Sequence, residues 1–155
     1  RSETRLRENR TEFRWNGEEM ASSVQRLADQ RLGQGFFRRS VMANFDESCC
    51  ITGIADSRLL NASHIVPWNL DIGNRHNPAN GLALSATFDR AFDRGLLTVS
   101  PTGYVKISNL ILGSDSSETR KYFEVYEGRK IRTSRRFDPN PAFLDWHNRE
   151  HFIEN

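Results

Sequence analysis

The spacing of apolar residues changes several times along the 155-residue chain, and each change predicts an element. From about Glu18 to Phe45 the apolar positions Val24, Leu27, Leu32, Phe36, Phe37, Val41 and Phe45 suit a helix, with a break expected at "GQG", residues 33 to 35. Two short apolar runs follow, "CCITGI" (49 to 54) and "RLLNASHIV" (58 to 66), with the polar turn "ADS" between them; they predict a first hairpin. Periodicity then lapses in "PWNLDIGNRHNPANG", residues 67 to 81. Such a stretch is long for a mere connection in a compact domain and points to a functional loop. A further strand and the short helix of "NGLALSATFDRAFDRG" come next, with Ser85 or Thr87 as N-cap and Gly95 as the stop. In "LLTVSPTGYVKIS" apolar and polar residues alternate around "SPTG", which predicts a second hairpin. "SSETRKYFEVYE" and "NPAFLDWHNREHF" read as closing helices, so the fold class is α+β.

Composition narrows this picture. With 37% apolar and 27% charged residues the chain suits one globular domain, and no apolar run approaches a membrane span. Residues 1–17 are polar and irregular, a linker or the remnant of an upstream domain, and 18–155 form the expected domain. The chain opens on "RSETRLRENR", without Met or a signal-like segment, so an upstream region is expected to precede it. Cys49 and Cys50 are adjacent, which suits neither a mutual disulfide nor a zinc knuckle; no structural zinc is expected, and a reducing cytoplasm fits. The net charge of +2 argues for no polyanion by itself. Its distribution does more, because "GRKIRTSRR" holds Arg129, Lys130, Arg132, Arg135 and Arg136 without an acid. That stretch is either a solvated loop or an edge that meets phosphate.

Asp89 and Asp93 stand four residues apart on the short helix, where like charges repel by roughly 0.2 to 0.5 kcal/mol. Either Arg90 and Arg94 neutralise them at a solvated edge, or a bound cation does. Beside them run Phe88 and Phe92, which would hold the carboxylates at the rim of the core.

The residues "CITG", "SHIVPW", "NPANGLAL" and "DRAFDRG" occur in the order of the motifs C-x-T-G, A-H-I-x-P-W, N-P-x-N-G-L-x-L and H-R-x-F-D-R-G. In this the chain resembles the HNH endonucleases, and among them a bacterial restriction-type branch, over about residues 33 to 110. The resemblance implies a ββα-metal core, also called a His-Me finger, here with flanking helices and an additional β-hairpin. It implies a metal-dependent DNA endonuclease in which His64 is the general base and Asn80 fixes the loop and the imidazole. Asp89 and Asp93 would be metal ligands, and the basic stretch would be the nucleic-acid contact. The family's last His is Asp89 here, and the residue before the base is Ser63, where many relatives place a second ligand. Carboxylate oxygen favours Mg²⁺ or Mn²⁺. DNA is the expected partner, with sequence recognition supplied upstream; a homodimer stays open. Two other readings share the fold: a catalytically weak nucleic-acid-binding module, and a ribonuclease or toxin nuclease. His76 is read as an exposed loop residue or a phosphate contact. His147 and His151, at i and i+4, are read as structural or surface residues.

Overall fold

The structure, a computed structural model, describes residues 17–132 and 134–155. The expected linker therefore lies, apart from Gly17, outside the described residues. The described residues fall into two units, divided between Leu32 and Gly33. In the first, Val24, Leu27 and Leu32 are exposed, and Gln25 Nε2 donates to Asp29 Oδ1 one turn on, at 3.0 Å. These apolar residues are too sparse among polar neighbours to make a buried stripe.

Helix α1 (Gly17–Asn44) is not broken at the expected glycines. Gly33 has another use. A Cβ there would lie 2.2 Å from the ring of His76, so the glycine admits an imidazole against the helix backbone. Phe37, Val41, Met42 and Phe45 are buried, while Phe36 is not.

The expected pairing of "CCITGI" with "RLLNASHIV" does not form. Residues 49 to 54 are a turn, closed by Gly53 N–H to the Cys49 carbonyl (2.9 Å) and Cys49 N–H to the Ile54 carbonyl (2.8 Å). Gly53, at φ +78°, takes the left-handed conformation this turn needs. Both cysteines are buried and unpaired, so their apolar character reports core packing and not a strand. Instead β1 (Leu60–His64) pairs antiparallel with β2 (Gly81–Ser85) across the long loop. The loop itself is organised by short helical turns at Ile72–Asn74 and Pro78–Asn80.

Helix α2 (Ala86–Asp93) follows directly, with Ser85 at the N-cap position as expected although its hydroxyl makes no cap hydrogen bond. Phe88, Ala91 and Phe92 face the core. The second hairpin, β3 (Leu97–Val99) with β4 (Val105–Ile107), forms where the alternation placed it. Next come α3 (Asn109–Leu112), which periodicity did not reveal, α4 (Ser117–Glu124) and α5 (Pro141–Trp146), the last continuing as a π-turn over His147–His151. The fold is thus α+β, with β1, β2 and α2 as its ββα core.

One close approach sets the position of α1 residues 37 to 41 against β2. A Cβ at Gly81 would fall 2.4 Å from Val41 Cγ2 and 2.8 Å from Phe37 Cζ. Gly81→Ala is expected to cost about 1–3 kcal/mol by overpacking, read in urea or thermal unfolding. An unchanged unfolding midpoint would show that the helix yields freely here.

Candidate active site

β1 ends on His64 and β2 starts on Gly81 directly opposite, so the loop between them leaves from one point of the sheet and returns to it. Three neighbours fix the His64 ring. It stacks on Phe37, with centroids 3.9 Å apart and planes within 10°, and meets the edge of Trp68 at 5.8 Å. Its Nε2 lies 2.7 Å from the Arg75 carbonyl. A carbonyl can only accept, so in the neutral ring Nε2 carries the proton and Nδ1 keeps its lone pair. Burial pushes the His64 pKa below its ordinary value, opposed in part by the Arg75 carbonyl and assisted by His76. At neutral pH the ring is an unprotonated base.

Asn80 is fully buried and works on the loop. Its Oδ1 accepts from Val66 N–H at 2.8 Å, and its Nδ2 donates to the carbonyls of Val66 (3.1 Å) and Asn74 (3.4 Å). Its own carbonyl accepts from Ile65 N–H at 3.0 Å. The resemblance implied a hydrogen bond from Asn80 to the imidazole, and none forms. The side chain is used up on loop backbone at Val66 and Asn74, and it is the loop that delivers the Arg75 carbonyl to His64.

Asp89 and Asp93 project from α2 toward the same cavity as His64, a space of about 470 Å³ also bordered by Ser63, Trp68, His147 and His151. Asp89 is anchored to β1: Asn61 Nδ2 donates to its Oδ2 at 2.9 Å, and Ser63 Oγ donates to its Oδ1. Asn61 and Ser63 sit two apart on the strand, so the pleat turns both toward α2. Among the described residues neither Arg90 nor Arg94 forms an ion pair with these carboxylates, of which Asp93 is exposed and Asp89 half-buried. Asp93 also accepts, through its backbone carbonyl, a bond from His151 Nε2 at 2.6 Å. Ser63, Asp89 and Asp93 line the cavity together. Among the described residues no group of three His, Cys, Asp or Glu side chains is placed to cage a metal.

His147, read as structural or surface, is fully buried. It stacks on Phe92 at 3.8 Å, with Nδ1 2.8 Å from Thr98 Oγ1 and Nε2 3.2 Å from the Phe92 carbonyl. Desolvation, with a contribution from nearby His151, pushes its pKa down to about 4. The unfolded chain therefore binds a proton that the folded chain refuses, and stability should fall as pH drops from about 6.5 to about 4, by up to about 3 kcal/mol. Urea unfolding across that window should show a steeper loss for wild type than for His147→Gln. Parallel curves would place the acid sensitivity elsewhere. His76 is half-buried, its ring 5.0 Å from Trp68, and is not the exposed loop residue that was one of its two readings.

The basic stretch is divided. Arg129 lies over Tyr126 and Lys130 over Tyr104, at 5.5 and 5.8 Å from the ring centroids. Arg132 packs beside Gly53, and Arg135 pairs with Asp46. None of the five borders the His64 cavity.

Residues 49–100 match the family model described as HNH endonuclease. That segment belongs to the HNH endonuclease family. No curated protein matches the chain significantly. The HNH segment runs from the Cys49 turn through β1, the loop, β2 and α2 to β3, and so takes in His64, Asn80, Asp89 and Asp93. HNH nucleases hydrolyse phosphodiesters and generally use a divalent metal ion, so the family implies nuclease activity and a DNA substrate. Several neighbours of the HNH site lay beyond sequence reasoning. Phe37 read only as an apolar position of the first helix and Trp68 only as part of "SHIVPW", and Arg75 acts through its carbonyl, which no side-chain pattern reports.

Proposed function

We propose that this protein is a metal-dependent DNA endonuclease in which His64 removes the proton from the attacking water. One observation carries the reading: an imidazole whose Nδ1 keeps its lone pair shares a cavity with two carboxylates that, among the described residues, no arginine neutralises. In the proposed reaction Nδ1 of His64 accepts a proton from water as its oxygen attacks phosphorus in line. The bond to the 3′ oxygen breaks with its electron pair and that oxygen takes a proton from solvent, leaving 5′-phosphate and 3′-hydroxyl ends. Phe37 and the Arg75 carbonyl hold the ring in the required orientation and tautomer. Asp89, Asp93 and Ser63 would hold the metal, and their oxygens favour Mg²⁺ or Mn²⁺. When bound, such an ion stabilises charge on the phosphate and on the leaving oxygen.

The motif order supports a cleavage module of a bacterial restriction or defence protein. Among the described residues no helix is long and apolar enough to cross a membrane. Incubating supercoiled plasmid, and separately RNA, with Mg²⁺, Mn²⁺ or EDTA and then labelling the ends tests the reading. Nicked DNA with 5′-phosphates supports it, whereas cleavage confined to RNA would favour a ribonuclease.

A second reading, a nucleic-acid-binding module with weak catalysis, is favoured by one observation. Both oxygens of Asp89 already accept hydrogen bonds from β1. DNA binding without metal-dependent nicking would establish it.

Within the basic stretch, Arg135 is ion-paired and Arg132 is packed on the Gly53 turn, so Arg129, Lys130 and Arg136 are the cations proposed to meet phosphate. Reversing these three should lower the log–log salt slope of duplex binding by about 0.9 for every phosphate no longer neutralised. An unchanged slope would return the stretch to a solvated loop.

A further inference from the structure

We propose that a groove along α1, separate from the His64 cavity, binds an unpaired nucleotide, with its base against Phe36 and Phe137 and its phosphates at Arg39 and Arg136. The inference rests on the reading of this protein as DNA-cleaving and adds a substrate preference to it. The groove encloses about 370 Å³ and is bordered by Phe36, Arg39, Asn44, Arg135, Arg136 and Phe137. This is within the size range of small-molecule sites. Among the described residues its lining includes no acid.

Phe36 and Phe37 are consecutive, so their side chains leave α1 about 100° apart. Phe37 is buried on His64, and Phe36 is 53% exposed. Arg39 and Ala43 continue the Phe36 stripe at helical spacing. One helix thus backs the candidate active site with one stripe and the groove with the next.

On the opposite wall Phe137 is 44% exposed, yet its backbone is held firmly. Buried Asn44 accepts at Oδ1 from the N–H groups of Arg136 and Phe137, both at 3.0 Å, and donates through Nδ2 to the Phe137 carbonyl at 2.8 Å. A buried amide is spent on positioning a ring that adds little to the core. The charge is similarly unspent. Arg135 is answered by Asp46, but among the described residues the guanidinium groups of Arg39 and Arg136 form no ion pair.

Two open aromatic faces flanked by two unanswered cations complement a planar base attached to anionic phosphates. A fully paired duplex hides its base faces and would use only the cations. A base that is bulged, gapped or single-stranded would use both, and base–aromatic stacking tolerates any sequence.

The test uses the full chain carrying His64→Ala, so that the probes survive, and short duplexes with or without one unpaired 2-aminopurine. The bulged probe should bind about tenfold more tightly than the paired one, and its fluorescence should be quenched on binding. Phe36→Ala/Phe137→Ala should lose both effects while unfolding at the same temperature as its parent, because both rings are open to solvent. Arg39→Gln/Arg136→Gln should weaken binding of the bulged probe.

Equal affinity for the two probes, or the same quench in the double phenylalanine variant, would overturn the proposal. If the unsubstituted chain still nicks paired plasmid DNA, the nuclease reading survives that result. Absence of both nucleic-acid binding and nicking would remove the nuclease reading as well. Self-association that is lost in the phenylalanine variant, with no preference for the bulge, would assign the groove to a second copy of the chain and overturn the nucleotide.

Discussion

His64→Ala is expected to slow DNA cleavage by about 10²–10⁴-fold, the usual contribution of a general base, while DNA affinity stays nearly unchanged. The ring stacks on Phe37 at the edge of the core and fills no deep space, so the variant should fold. A pH profile separates loss of a base from a merely structural fault. Burial lowers the His64 pKa from its ordinary 6.5. The protonated ring cannot accept the proton of water, so the single-turnover rate should rise with pH, pass its inflection below 6.5 and be level at neutral pH. The small residual rate of His64→Ala should lack that inflection. A wild-type rate that does not change between about pH 5 and pH 8, with chemistry limiting, would exclude the imidazole from proton transfer.

The second large effect is expected at Asp89. Asp89→Ala should abolish most of the activity. Asp89→His, which restores the family's own residue, should retain activity and shift the preferred metal from Mg²⁺ toward Ni²⁺ or Co²⁺. Imidazole is a softer, neutral donor suited to later transition metals, whereas carboxylate oxygen suits hard cations. The bonds from Asn61 and Ser63 add a control. If Asp89 serves only to strap α2 to β1, Asn61→Ala and Asp89→Ala should lower stability alike, and the metal profiles of wild type and Asp89→His should coincide. Titrating each metal against cleavage rate for the two proteins decides between ligand and strap.

Elements marked by local chemistry were legible in the sequence. The alternation around "SPTG" gave the β3–β4 hairpin, and Phe88 and Phe92 gave the buried side of α2. Motif order gave the ββα core and brought His64, Asp89 and Asp93 to one cavity. The errors arose where a residue's local preference was overridden by a distant contact. Gly33 looked like a helix breaker, but it makes room for the His76 ring, 43 positions away in sequence. Cys49, Cys50 and Ile51 looked like a strand, but they are the inner side of a turn. Asn80 was expected to fix both the loop and the imidazole, yet its three side-chain hydrogen bonds all go to loop backbone. The approach of His147 and His151 to the cavity likewise depends on how the last helix folds back, and the sequence around them does not encode it.

Single-turnover nicking of supercoiled plasmid by wild type and by His64→Ala, each with Mg²⁺ and with EDTA, tests the central claim most directly. The expected result is nicking by wild type with Mg²⁺, none with EDTA, and a rate for His64→Ala lower by about two orders of magnitude or more. Equal nicking by the two proteins in Mg²⁺, or nicking that survives EDTA, would contradict it.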